Sequence, residues 1–206
     1  MIATGVVAAV ADADPGTATM TRARRRWPWV LLVLAIAAGT TIWWGRPLAL
    51  RVVTWKTARR FPAVRWIDGD SLQVWMGAEL RPRPLILDAR TADEFAVSRI
   101  PGALRIDPYR PELRTLGDPP RDTAIVVYSS VGYRGARVAV WLDGQGYGRV
   151  TDLAGGIFGW ANTGRPLIRV DGPTPLVHPF DRRWGRLLSP GHRAEAPSLP
   201  DVTAAP

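Results

Sequence analysis

Residues 27–45, WPWVLLVLAIAAGTTIWWG, carry no charged side chain and lie between Arg26 and Arg46. Few structures accommodate such a run. As an α-helix it would rise about 28 Å at ~1.5 Å per residue, close to a hydrocarbon core of about 30 Å. Trp27 and Trp29 mark one end, Trp43 and Trp44 the other. Indole rings favour the headgroup boundary, so tryptophans spaced one bilayer apart point to a transmembrane helix. Pro28 suits a first helical turn, where its missing N–H costs nothing. Two other readings stay open. Ala35-Ile36-Ala37 offers the small-x-small site of a cleaved signal peptide, and a buried core helix is the third option, although such a helix normally carries a polar stripe.

The net charge of +9 is uneven. Residues 46–83 hold eight basic and three acidic side chains, whereas residues 84–170 hold eleven arginines against nine acids. The excess therefore sits beside the uncharged run, where each cation gains about 1 kcal/mol from anionic headgroups. A membrane-flanking cluster explains it better than a nucleic-acid surface, and no nucleic-acid partner is expected. The expected partners are the lipid bilayer, through residues 27–44, and a membrane or periplasmic protein. Met20, followed by Arg22, Arg24, Arg25 and Arg26, reads as an alternative start to Met1. That dense cluster favours a cytoplasmic N-terminus, placing the remainder of a single-pass protein on the extracytoplasmic, periplasmic side.

Five segments are thus expected: a tail over 1–26, basic at its end; a transmembrane helix over 27–45; a basic connector over 46–63; an α/β domain over 64–169; and a Pro-rich irregular tail over 170–206. The absence of cysteine from the sequence excludes disulfides, thiolate metal sites and any mechanism using a cysteine nucleophile. Only two histidines occur, His178 and His192, both read as exposed tail residues. No metal site and no cofactor are expected.

Within 64–169, Pro84-Leu-Ile-Leu-Asp88 and Ile125-Val-Val-Tyr128 are short apolar runs that read as buried strands. Residues 149–153 give a third strand, and Trp66-Ile67 a leading one. Asp70-Ser-Leu-Gln-Val-Trp75 reads as a capped helix. Residues 133–142 form an amphipathic helix with Ala136, Val140 and Trp141 on the apolar side, ended by Gly144 and Gly146. Gly155-Gly156 opens a last helix that carries Trp160 and stops at Gly164-Arg-Pro. Strands alternating with helices predict an α/β fold, a mainly parallel sheet flanked by helices.

Four motifs then carry a resemblance. Leu87-Asp-Ala-Arg-Thr-Ala-Asp-Glu-Phe95, Arg99-Ile-Pro-Gly-Ala103, Val127-Tyr-Ser-Ser-Val-Gly-Tyr-Arg134 and Leu153-Ala-Gly-Gly-Ile157 with Trp160 resemble, in order and spacing, the motifs of a rhodanese-like (sulfurtransferase) domain. The resemblance covers residues 64–169 and implies the rhodanese-like fold. In that family a cysteine heads a Cys-x-x-Gly-x-Arg loop and takes up sulfane sulfur as a persulfide. Here that position is Ser129. Two further departures are Ser98-Arg99, where the family usually has Gly-His, and Gly135, where a small hydroxyl residue often follows the loop arginine.

The loop of residues 129–134 keeps the elements of an anion cradle. Backbone N–H groups at a helix N-terminus attract negative charge, Gly132 permits a tight turn, and Arg134 offers a charged contact. The nucleophile is what is lost. A serine hydroxyl needs an adjacent base, and no histidine lies within residues 1–177. The candidate binding residues are Ser129, Ser130, Val131, Gly132, Tyr133 and Arg134, with Asp88 and Arg90; no catalytic residue is assigned. Asp88 and Arg90 also read as a structural ion pair at a strand end, and Tyr133 and Trp160 as packing residues. The expected function is a membrane-anchored rhodanese-like domain, inactive as a sulfurtransferase, that acts as a binding or scaffold module with a pocket for a small oxyanion. The alternatives are an enzyme with residual or thiol-carrier-assisted sulfur transfer, and an oxyanion sensor.

Overall fold

The computed structural model describes residues 27–195, leaving out the side chains of Trp27, residues 34–44 and Thr115. The expected tail 1–26, the alternative start at Met20 and residues 196–206 therefore lie outside the described residues. The chain divides into two compact units between Trp43 and Trp44.

The first element is a helix, α1, over Trp27–Arg60. The uncharged run is helical as expected, but the helix passes through Pro47 and absorbs most of the expected connector. No helix among the described residues is long and apolar enough to cross a membrane. The side chains of residues 34–44 are outside the description, so the span of 27–45 rests on the sequence. From Trp44 onward the helix belongs to the same unit as the α/β domain. Its Leu50 is buried in the domain core and Val53 packs against it, because the turn after Arg60 returns the chain at once to the sheet. The domain thus starts before the expected boundary at 64.

The sheet strands are β1 (Arg65–Ile67), β2 (Leu85–Asp88), β3 (Leu104–Arg105), β4 (Ile125–Tyr128) and β5 (Val150–Leu153), in the order β1-β5-β4-β2-β3. Every pairing is parallel, as the strand–helix alternation predicts. The helices between them are α2 (Gly69–Gly77), α3 (Ala92–Val97) and α4 (Tyr133–Gly144), with α5 (Gly156–Asn162) after the last strand. All four residues of β4 are buried, which is why it reads as a continuous apolar run rather than an alternating one. Side-chain alternation then splits it between two cores: Val126 and Tyr128 join Leu72, Ile100, Phe158 and Trp160 on one face. Ile125 and Val127 join Leu87, Ile106, Val138 and Leu142 on the other.

Three local readings need correction. The cap of α2 is Asp68, whose carboxylate accepts from the Ser71 N–H at 2.9 Å, rather than Asp70. The buried face of α4 runs through Gly135, Ala136, Val138, Ala139 and Leu142. Val140 is exposed, because small residues let the opposite face lie closer to the sheet. The Pro-rich segment after residue 169 is largely irregular but packed. A two-stranded ribbon of β6 (Ile168–Arg169) and β7 (Gly172–Pro173) leads into a stretch that buries Val177 and Leu188 completely. His178 and His192 are half-buried there, and the His178 Nδ1 accepts the Phe180 N–H at 3.0 Å.

Candidate functional site

The loop between β4 and α4 is shaped from behind. Gly155 and Gly156 both have positive φ, +74° and +56°. A Cβ on Gly156 would overlap the carbonyl oxygen of Ser129. Glycine there lets the start of α5 come close enough for the Ile157 N–H to donate to the Ser129 carbonyl at 2.9 Å. The Phe158 N–H donates to the Ser130 carbonyl at 3.1 Å. No cis peptide occurs among the described residues. In a trans peptide the N–H points opposite to its carbonyl. Pinning these two carbonyls on α5 therefore turns the N–H groups of Ser130 and Val131 the other way, into the loop. Among the described residues neither N–H has an acceptor.

Gly132 closes the loop at φ +101°, a left-handed conformation that favours glycine, with the Trp66 ring packed closely against it. Its N–H donates to the Ser129 Oγ at 3.1 Å. Ser129 and Ser130 are buried, yet both line a cavity of about 630 Å³ above the loop, as do Val131, Tyr133 and Arg134. No base is hydrogen-bonded to the Ser129 hydroxyl among the described residues.

Arg134 is held by a buried partner. Its guanidinium donates to both carboxylate oxygens of Glu94, each at 2.7 Å, and to the Ser130 Oγ at 2.9 Å. The Ser130 hydroxyl in turn donates to Glu94 Oε1 at 2.7 Å. Burial pushes the Glu94 carboxyl up, but the bonds and charge of Arg134, with Ser130, outweigh it and hold the group at about 2. The loop arginine is thus paired with a buried carboxylate and braces the loop, while it also lines the cavity. Glu94 escaped the sequence reading. Its local signal was present, since Thr91-Ala-Asp-Glu94 is a capping box and both reciprocal bonds form.

Asp88 and Arg90 do not reach the cavity. Both are fully buried at the end of β2, joined by Arg90 Nη2 to Asp88 Oδ2 at 2.6 Å. Arg90 also donates to the Ser98 carbonyl, and the Tyr128 hydroxyl donates to Asp88 Oδ2 at 2.6 Å. Burial and the Asp88 charge push the Tyr128 phenol well up. This is the structural ion pair of the two readings. Trp160 is likewise a packing residue, buried with its indole N–H on the Pro166 carbonyl at 2.9 Å.

The remaining walls come from elements the sequence reading did not assign to a site. Val53, Lys56, Thr57 and Arg60 follow helical spacing along one face of α1. Phe180, Arg183, Trp184 and Leu187 come from the C-terminal stretch. Phe180 has φ +66°, rare for a bulky residue, and its ring centroid lies 4.9 Å from the Arg134 guanidinium carbon. Among the described residues no acidic side chain lines the cavity, and no group of three or more His, Cys, Asp or Glu could hold a metal ion.

Comparison with known proteins places this fold and loop in a family. The rhodanese-like domain matches residues 72–163. A sulfurtransferase of Allochromatium vinosum is 38% identical over 88 residues, 43% of this chain and 81% of that protein. A thiosulfate sulfurtransferase of Actinobacillus succinogenes is 30% identical over 93 residues, 45% of this chain and 82% of that protein. The chain belongs to the rhodanese-like family. It also matches a tRNA uridine(34) hydroxylase of Xanthomonas euvesicatoria at 35% identity over 98 residues, spanning 39% of that protein's length. The solved structure of a rhodanese-related protein of Thermoplasma volcanium is 27% identical, with a TM-score of 0.43, over 50% of this chain and 97% of that one.

Proposed function

We propose that this chain is a membrane-anchored rhodanese-like binding module, inactive as a sulfurtransferase, whose loop holds a small oxyanion. The observation that carries the reading is the pair of N–H groups, on Ser130 and Val131, turned into a cavity that no acidic side chain among the described residues lines. The Ser129 hydroxyl stands where the family's sulfur nucleophile would be. Without a neighbouring base it stays protonated and weakly nucleophilic, and it cannot carry a stable persulfide. The uncharged run of 27–45 supplies the anchor, with the domain on the extracytoplasmic side, where a membrane or periplasmic protein would be its partner.

Thiosulfate-to-cyanide transfer tests this. The wild type stays at background. Ser129→Cys gains activity, because the loop N–H groups and the helix N-terminus lower a thiol's pKa and stabilise the bound sulfur. Transfer by the wild type overturns the inactive reading. A folded Ser129→Cys protein that neither transfers sulfur nor forms a persulfide overturns the cradle.

A further inference from the structure

The cavity is larger than a small oxyanion needs. Its volume is about 630 Å³. It falls within the range of about 300–1,000 Å³ typical of sites for organic ligands. Thiosulfate, with its five heavy atoms, would fill only a small part of it. The additional space is not lined at random. It is walled mainly by apolar and aromatic side chains: Val53 of α1, Val131 of the loop, Tyr133 of α4, and Phe180, Trp184 and Leu187 of the C-terminal stretch. Around them stand four exposed cations, Lys56, Arg60, Arg137 and Arg183. None of the four forms an ion pair among the described residues.

The source of these walls matters. The stretch that matches the family ends at residue 163 and begins at 72. Lys56, Arg60 and Val53 precede it, and Phe180, Arg183 and Trp184 follow it. The loop belongs to the family, while most of the apolar wall and three of the four rim cations lie outside the stretch that matches it. An apolar wall that faces only an inorganic ion would sit against water with no compensating contact.

We infer that the site takes a soluble organic anion, with its charged head on the Ser130 and Val131 N–H groups and an aromatic or branched apolar body against Val53, Trp184 and Leu187. This rests on the oxyanion reading of the loop and extends it to the class of ligand. The exposed cations raise the local concentration of such a ligand, an effect that weakens with salt. The apolar wall selects against bare phosphate or sulfate.

Calorimetric titration of the full chain in neutral detergent tests this, with protein-free micelles as reference. The probes are naphthyl phosphate, inorganic phosphate and naphthol. Naphthyl phosphate should bind at least tenfold more tightly than inorganic phosphate, and naphthol at least tenfold more weakly than naphthyl phosphate. Trp184→Ala, and independently Val53→Gln on a different element, should each remove at least threefold of the naphthyl advantage. Both should leave inorganic phosphate affinity within twofold of wild type, which also reports an intact loop. Equal affinity for the two phosphates overturns the inference and leaves the oxyanion reading standing. Naphthol binding as tightly as naphthyl phosphate overturns the requirement for an anion. Failure of both phosphates to bind overturns the oxyanion reading and this inference with it.

Discussion

Replacing Glu94 with glutamine tests the brace beneath the loop. The change keeps the side chain's shape but removes the charge facing Arg134. Both partners are buried, Glu94 at 2% and Arg134 at 10% side-chain exposure, so solvent does little to compensate the arginine left behind. Breaking one side of a buried pair costs about 3–5 kcal/mol. The depressed titration gives an independent scale. Moving a carboxyl from 4.5 to about 2 corresponds to about 3 kcal/mol at ~1.4 kcal/mol per pH unit. For a domain of this size that loss lowers Tm by roughly 6–12 °C. The pH dependence separates this cause from a packing defect. A carboxyl with a lowered folded-state pKa contributes fully above its unfolded value and loses that contribution as pH falls through the folded one. The gap between wild type and Glu94→Gln should therefore be complete near neutral pH and close between about pH 4.5 and 2. Thermal melts followed by circular dichroism at several pH values measure it. An unchanged Tm at neutral pH, or a gap that stays constant into acid, would refute the argument.

Asp152 offers the opposite sign. It is fully buried with no hydrogen-bond partner for either carboxylate oxygen among the described residues, and burial pushes its carboxyl well above the usual 3.8. The folded state then keeps a proton that the unfolded chain releases, so stability falls as pH rises above about 3.8. Asp152→Asn should melt higher than wild type at neutral pH, by a margin that grows from pH 4 to 8; a pH-independent margin excludes this. Fractionation after a carbonate wash bears on the anchor: the full chain should stay with the membranes, and its recovery in the supernatant would end that proposal.

The parallel sheet was legible because buried strands between helices are short apolar runs that stop at a polar residue, as Leu87-Asp88 and Val127-Tyr-Ser129 do. The inward face of α4 was not. It is built on Gly135, Ala136 and Ala139, whose small side chains give little contrast in a hydropathy pattern, while Val140 and Trp141 stand out. The loop was legible through its motif. Its electrostatics was not, because Arg134 and Glu94 are 40 residues apart and nothing in the local sequence of either names the other. The walls over the loop escaped for a related reason. Val177 and Leu188 are buried in a stretch with neither helical nor strand period, so only tertiary packing reveals them.

The bonds from Ile157 and Phe158 to the loop carbonyls also fix an order of events during synthesis. A chain leaving the ribosome exposes residues 129–134 before Gly156 exists to receive them. Until α5 docks, the peptide planes of the loop are free to rotate, and the N–H groups have no fixed aim. The strands can pair earlier, since β1 to β5 are all in place by Leu153. The cavity is therefore completed at the end of folding, when Phe180 and Trp184 arrive.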